Sequence, residues 1–156
     1  MNGPSPSPAP PQVILAFDYG TRRIGVASGD TLTRTARALT TLDWNDGVPW
    51  TAIAKLVKEY QPAQFVVGLP WNMDGTPTLL TETSRAFGAQ LKERFNKPVA
   101  LVDERLSSRE AESQLRDARA SGHKKRRNTH ADVDKIAARI LLEQWLENPA
   151  GAEVVL

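Results

Sequence analysis

The chain has 156 residues, 40% hydrophobic and 24% charged, and its 20 Lys and Arg against 18 Asp and Glu leave a net charge of +2. That is the size and make-up of one ordinary globular domain, too short for a two-lobed enzyme or a separate substrate domain. With no cysteine and two histidines, disulfide scaffolds, zinc ribbons, iron–sulfur sites and thiol nucleophiles are excluded, and any metal falls to carboxylates, which suit hard cations such as Mg2+ or Mn2+.

No apolar run approaches the ~20 residues that span a bilayer, and the N-terminus lacks the pattern of a signal peptide. A cytoplasmic protein that does not engage membranes is expected. Residues 1–11 hold five prolines and almost nothing apolar, so they read as a disordered tail. The globular domain is expected over residues 12–148, with a short tail at 149–156.

Residues 13–17 form a continuous apolar run, the mark of a strand buried on both faces. A turn containing Gly20 leads to a second strand at 24–28, the glycine supplying a positive φ. Thr-rich residues 33–42 make a third strand and complete an antiparallel meander. Residues 50–60 carry Ile53, Leu56, Val57 and Tyr60 at helical spacing. A strand at 65–69 follows. Then comes a helix capped by Thr76, with Pro77 in its first turn and Leu80, Ser84, Phe87, Leu91 and Phe95 along its buried stripe. A strand at 99–102 runs into Asp103, Glu104 and Arg105. A polar helix from Ser107 or Ser108 to about Ala120, a basic loop at 121–129 and a last helix at 131–146 complete the chain. Helices alternating with the later strands imply parallel pairing there. The expected fold is α/β: a mixed five-stranded sheet, meander first and parallel strands after, flanked by helices in ribonuclease H-like order.

Three carboxylates fall at element ends. Asp18 closes the first strand, where the simpler reading is a turn-initiating residue. Glu104 leaves the strand at 99–102, where the simpler reading is a surface ion pair. Asp134 shares a helical stripe with Ala138, Leu141 and Trp145, an expensive place for a carboxylate without compensation. Asp132 lies on a more polar face, three residues after Thr129, and suits a capping role. Small Ala137 and Ala138 let this helix approach the sheet. Ligands of open α/β sheets gather beyond the carboxyl ends of the parallel strands. Three acids brought together there, with no His or Cys, require one or two divalent cations. Such ions activate water and stabilise the leaving oxygen in phosphodiester cleavage.

The surroundings suit a polyanion. Residues 105–130 contain eight Arg and Lys against three Asp and Glu, a local surplus of five that leaves the remainder of the chain negative. Arg22, Arg105, Lys124, Lys125, Arg126 and Arg127 are therefore candidate phosphate contacts, although a basic run is equally a solvated loop. In residues 68–76, Asn72 is a candidate contact to phosphate or sugar. Trp71 either stacks on a base or packs locally.

The stretches FDYGTRRIGVA (17–27), VVGLPWNMDGT (66–76), DERLSS (103–108) and DVDKIAARILL (132–142) resemble the YqgF, or RuvX-like, family of bacterial RNase H-fold proteins related to Holliday junction resolvases. The resemblance spans about residues 13–147. It implies a metal-dependent nuclease acting at the 5′ end of pre-16S rRNA during ribosome maturation. It also implies catalytic and metal-ligating roles for Asp18, Glu104 and Asp134. Ser108 stands where the family often has threonine. The implied partners are nucleic acid, RNA before branched DNA, and the pre-ribosomal small subunit, with the protein a monomer or weak dimer. The competing readings are a Holliday junction resolvase, which would need a stable dimer, and a non-catalytic nucleic-acid binding factor.

Overall fold

The computed structural model describes residues 12–44, 46–103 and 130–155. The N-terminal tail, the helix expected at 107–120, the basic loop at 121–129 and the Thr129 cap lie outside the described residues.

The meander forms as the apolar pattern predicts: β1 (Val13–Tyr19), β2 (Arg23–Asp30) and β3 (Thr35–Asp43) pair antiparallel in sequence. Helix α1 (Trp50–Tyr60) leads to β4 (Gln64–Leu69), and α2 (Leu79–Phe95) leads to β5 (Val99–Asp103). Both strands pair parallel, β4 with β1 and β5 with β4. Helix α3 (His130–Glu147) follows. The strand order is β3-β2-β1-β4-β5-β6, so β1 is central, and four successive residues, Ile14 to Phe17, are fully buried.

Strand alternation divides the core into two layers. Leu15, Phe17, Phe65, Val67, Val99 and Leu101 pack with Ile53 and Val57 of α1 and Phe87 and Leu91 of α2. Ile14, Ala16, Val66 and Ala100 pack with Ala138, Leu141, Leu142 and Trp145 of α3. The first layer is aromatic. Phe17 meets Phe87 edge-on at 5.7 Å between ring centroids, and Phe65 at 5.9 Å.

Three expectations are corrected. The sheet has six strands, not five. β6 (Glu153–Val154) pairs antiparallel with β5, and it comes from the segment expected as a tail. It covers the edge that β5 would otherwise present, and Arg85 of α2 pairs with Glu153 to hold it. Two residues carry no periodicity from which a strand can be read. The cap of α2 is Thr78, not Thr76: its hydroxyl accepts from Leu80 N–H at 3.1 Å, and its own N–H donates to Thr81 Oγ1 at 2.8 Å. Thr76 is engaged instead by Asp74, whose Oδ1 accepts from its N–H at 2.9 Å and its hydroxyl at 2.7 Å. Gly20 is required for space rather than for a positive φ, since a Cβ there would stand 2.7 Å from the Arg23 carbonyl oxygen.

Ser84 of α2 is fully buried, and its hydroxyl has no hydrogen-bond partner among the described residues. A buried polar group left unpaired costs about 1–3 kcal/mol. Ser84→Ala is therefore expected to raise the melting temperature by a few degrees in calorimetry, about 2–4 °C for each kcal/mol at this size.

Candidate active site

Asp18 is the last residue but one of β1, and its cross-strand neighbour on β2 is Gly25. Side chains opposite one another in an antiparallel pair share a face. Ile14 and Ala16, four and two residues before Asp18, pack in the α3 layer, so Asp18 continues that face. The side chain is half-buried at the end of the strand.

Helix α3 crosses the same spot. A Cβ built on Gly25 would lie 2.0 Å from the carbonyl oxygen of Asp134 and 2.4 Å from its carbonyl carbon. The helix backbone thus rests directly on β2, beside Asp18. Four residues on, a Cβ at Gly29 would meet Leu142 Cδ2 at 2.8 Å. Ala27, between them, is buried in the same layer. The α3 face of β2 is therefore Gly25, Ala27 and Gly29, with almost no side-chain volume. The close approach was legible as small–x–small–x–small in IGVASG, a signal that attention to Ala137 and Ala138 misses. Those alanines are indeed buried in α3, together with Leu141 and Trp145, so the stripe leading to Asp134 is as the spacing predicts.

The charge on Asp134 is compensated. Arg23 Nε donates to Asp134 Oδ2 at 2.9 Å, with both side chains about one-quarter to one-third exposed. Its sequence neighbour Arg22 is the candidate phosphate contact. Arg22 is exposed, and its carbonyl accepts from Trp44 N–H at 3.0 Å. Alternation at the start of β2 separates the two arginines: Arg23 sits two residues before Gly25, on the face that α3 covers. Asp132 pairs with Lys135 at 3.8 Å, and its side chain is 15% exposed.

The other candidates divide. Asn72 follows β4, but its amide nitrogen donates to Thr76 Oγ1 at 2.9 Å, so it braces the loop. Trp71 forms a bridge with Pro77 in the same loop and packs on the aromatic layer. Glu104, Arg105, Lys124, Lys125, Arg126 and Arg127 lie outside the described residues. Among the described residues no three acidic or histidine side chains form a ready-made metal cluster.

A family model described as "RuvX: Holliday junction resolvase" matches residues 12–148. The chain belongs to the RuvX family. Its RuvX relatives include proteins named "Putative pre-16S rRNA nuclease". One from Azotobacter vinelandii is 46% identical over 144 residues, covering 90% of this chain and 98% of that protein. One from Yersinia enterocolitica is 48% identical over 141 residues, with the same coverage. Among solved structures, Thermus thermophilus RuvC in complex with a Holliday junction substrate superposes with a TM-score of 0.56 at 16% identity, over 92% of this chain and 99% of that one. A second structure of RuvC from that organism gives 0.53 at 14%. At those identities the likeness is one of fold, and it agrees with the ribonuclease H-like order expected from the sequence. The RuvX match contains all four motifs, including the Asp18–Gly25 pair and Asp134.

Proposed function

We propose that this chain is a divalent-metal-dependent nuclease that hydrolyses phosphodiester bonds, with the 5′ end of pre-16S rRNA as substrate. The observation that supports it most is the contact of the Asp134 backbone with Gly25, directly opposite Asp18. That contact brings the backbone of Asp134 beside the strand pair that carries Asp18, at one end of the central strand. Glu104 is the third acid of the proposal. It lies two residues beyond Val102, which packs in the α3 layer.

The donor set fits the ion. Asp18, Asp134 and Glu104 offer only oxygen, the preference of Mg2+ and Mn2+, and Asp134 already takes a cationic partner in Arg23. Bound there, one or two ions would polarise a phosphoryl oxygen and lower the pKa of a bound water. The protein's own part is positional: α3 and β1 fix the two carboxylates, and Arg23 orients Asp134. Arg105 and Lys124 to Arg127 are proposed to meet the phosphate backbone. The proposed setting is the cytoplasm, on the pre-ribosomal small subunit. Among the described residues no helix is long and apolar enough to cross a membrane.

The decisive experiment is Mg2+- or Mn2+-dependent cleavage of a panel containing precursor 16S rRNA fragments, plain single strands and four-way junctions. Selective cleavage of the precursor is expected. The RuvC likeness favours one alternative, resolution of branched DNA. Preferential cutting of the junction by a dimer would establish that reading instead.

Arg23→Gln separates orientation from stability. A pair this exposed contributes about 1 kcal/mol or less, so the melting temperature should fall by no more than about 4 °C. The single-turnover cleavage rate should fall by about tenfold or more, since a misplaced carboxylate is costly in catalysis. Equal, small losses in both would make Arg23 a purely structural residue.

A further inference from the structure

Beyond the same strand ends, on the sheet face opposite α3, lies an open cleft of about 920 Å³. Tyr19 and Trp44 line it, their rings edge-to-face at 5.6 Å. Pro70 and Asn72 form its margin on the β4 side, and Leu79 and Leu80 close it from the first turn of α2. Two contacts brace the cleft. Tyr19 packs on Phe87 at 4.8 Å, and the Thr81 hydroxyl donates to the Pro70 carbonyl, tying α2 to the loop after β4. Leu79 is 96% exposed, and it borders this apolar depression.

We infer that this cleft is a binding subsite for one unstacked nucleobase of the substrate strand. Its mostly apolar, aromatic lining with a few polar groups suits a planar ring. Every base presents a π-face to such a platform. Continuity with the acidic site points to a base rather than to another planar ligand. Tyr19 directly follows Asp18 and, by alternation, faces the other layer. A strand with its phosphate at Asp18 would cross the end of β1 and present a neighbouring base on the Tyr19 side. The assignment rests on the nucleic-acid reading of the acidic site.

The test uses the full-length Asp18→Asn protein, which blocks turnover, and single-stranded RNA in which one abasic nucleotide is moved along the strand. Fluorescence anisotropy gives each affinity. One position is expected to weaken binding roughly tenfold, within the range measured for base–aromatic stacking. Adding Leu79→Ala or Trp44→Leu should reduce that positional effect to within about twofold. Leu32→Ala, which truncates a 67% exposed leucine in the β2–β3 turn, should retain it. Leu79 is nearly free of packing, so its variant decides the matter if the Trp44 variant unfolds. A flat abasic profile, or a tenfold position unaffected by Leu79→Ala, overturns the assignment. So does a dimer in light scattering that Leu79→Ala dissociates, because the cleft would then be a self-association face. Cleavage by the unaltered protein is scored separately. Its absence beside an intact positional profile would refute the nuclease and leave the subsite standing.

Discussion

Asp18→Asn is expected to reduce metal-dependent cleavage by roughly 10²–10³-fold or more, as removal of one metal-holding carboxylate forfeits several kcal/mol of transition-state stabilisation. Asparagine keeps the shape of the side chain, so the fold should persist. A second readout is independent of turnover. An ion that binds only the folded state raises stability by about 2.7 kcal/mol at a hundredfold excess over its Kd. Mn2+ should therefore raise the melting temperature of the unaltered protein and leave those of Asp18→Asn and Asp134→Asn nearly unmoved. Full cleavage by Asp18→Asn would remove Asp18 from the site, and an undiminished Mn2+ shift in both variants would remove Asp18 and Asp134 alike.

Gly25→Ala should have the largest effect on stability of any one-carbon change. The added Cβ would need to occupy a point 2.0 Å from the Asp134 carbonyl oxygen, and the obstacle is helix backbone, which no rotamer change can relieve. Overpacking of this kind costs about 3 kcal/mol or more, or about 6–12 °C of melting temperature in a domain of this size. Cleavage should fall even well below the melting temperature, because α3 must lift from β2 and carry Asp134 away from Asp18. Gly47, whose Cβ would meet nothing within 4 Å, offers a contrast. Its φ of +112° makes substitution a matter of local backbone strain. Gly25→Ala with an unchanged melting temperature and rate would mean that the helix does not rest on the strand as described.

Much of this was visible in one dimension. The buried run at 13–17, the helical spacing of Ile53, Leu56, Val57 and Tyr60, and the stripe from Asp134 to Trp145 each became the expected element. Such patterns are local, and their period is the period of the structure. What escaped was either too short or decided by competition. Glu153 and Val154 form a strand only because the edge of β5 is there to receive them. Thr76 and Thr78 are equally good caps in sequence, and the turn around Asp74 took the first and left the second for α2.

The candidate site divides along the same line. The sequence by itself determined the bias of the chemistry: no cysteine, two histidines, and acids at the ends of apolar elements favour oxygen ligands and hard divalent ions for any metal it holds. It also determined that Asp134 lies on a buried stripe. Only the tertiary structure decided that the Asp134 backbone rests against Gly25, the neighbour of Asp18, and that Arg23 pairs with the Asp134 carboxylate. The physical reason is that this placement depends on volume absent from a different element. Gly25, Ala27 and Gly29 leave a shallow bed on β2 into which α3 settles, more than a hundred residues away in sequence. Periodicity within α3 shows which face turns inward, but the depth to which that face sinks is set by the strand beneath it.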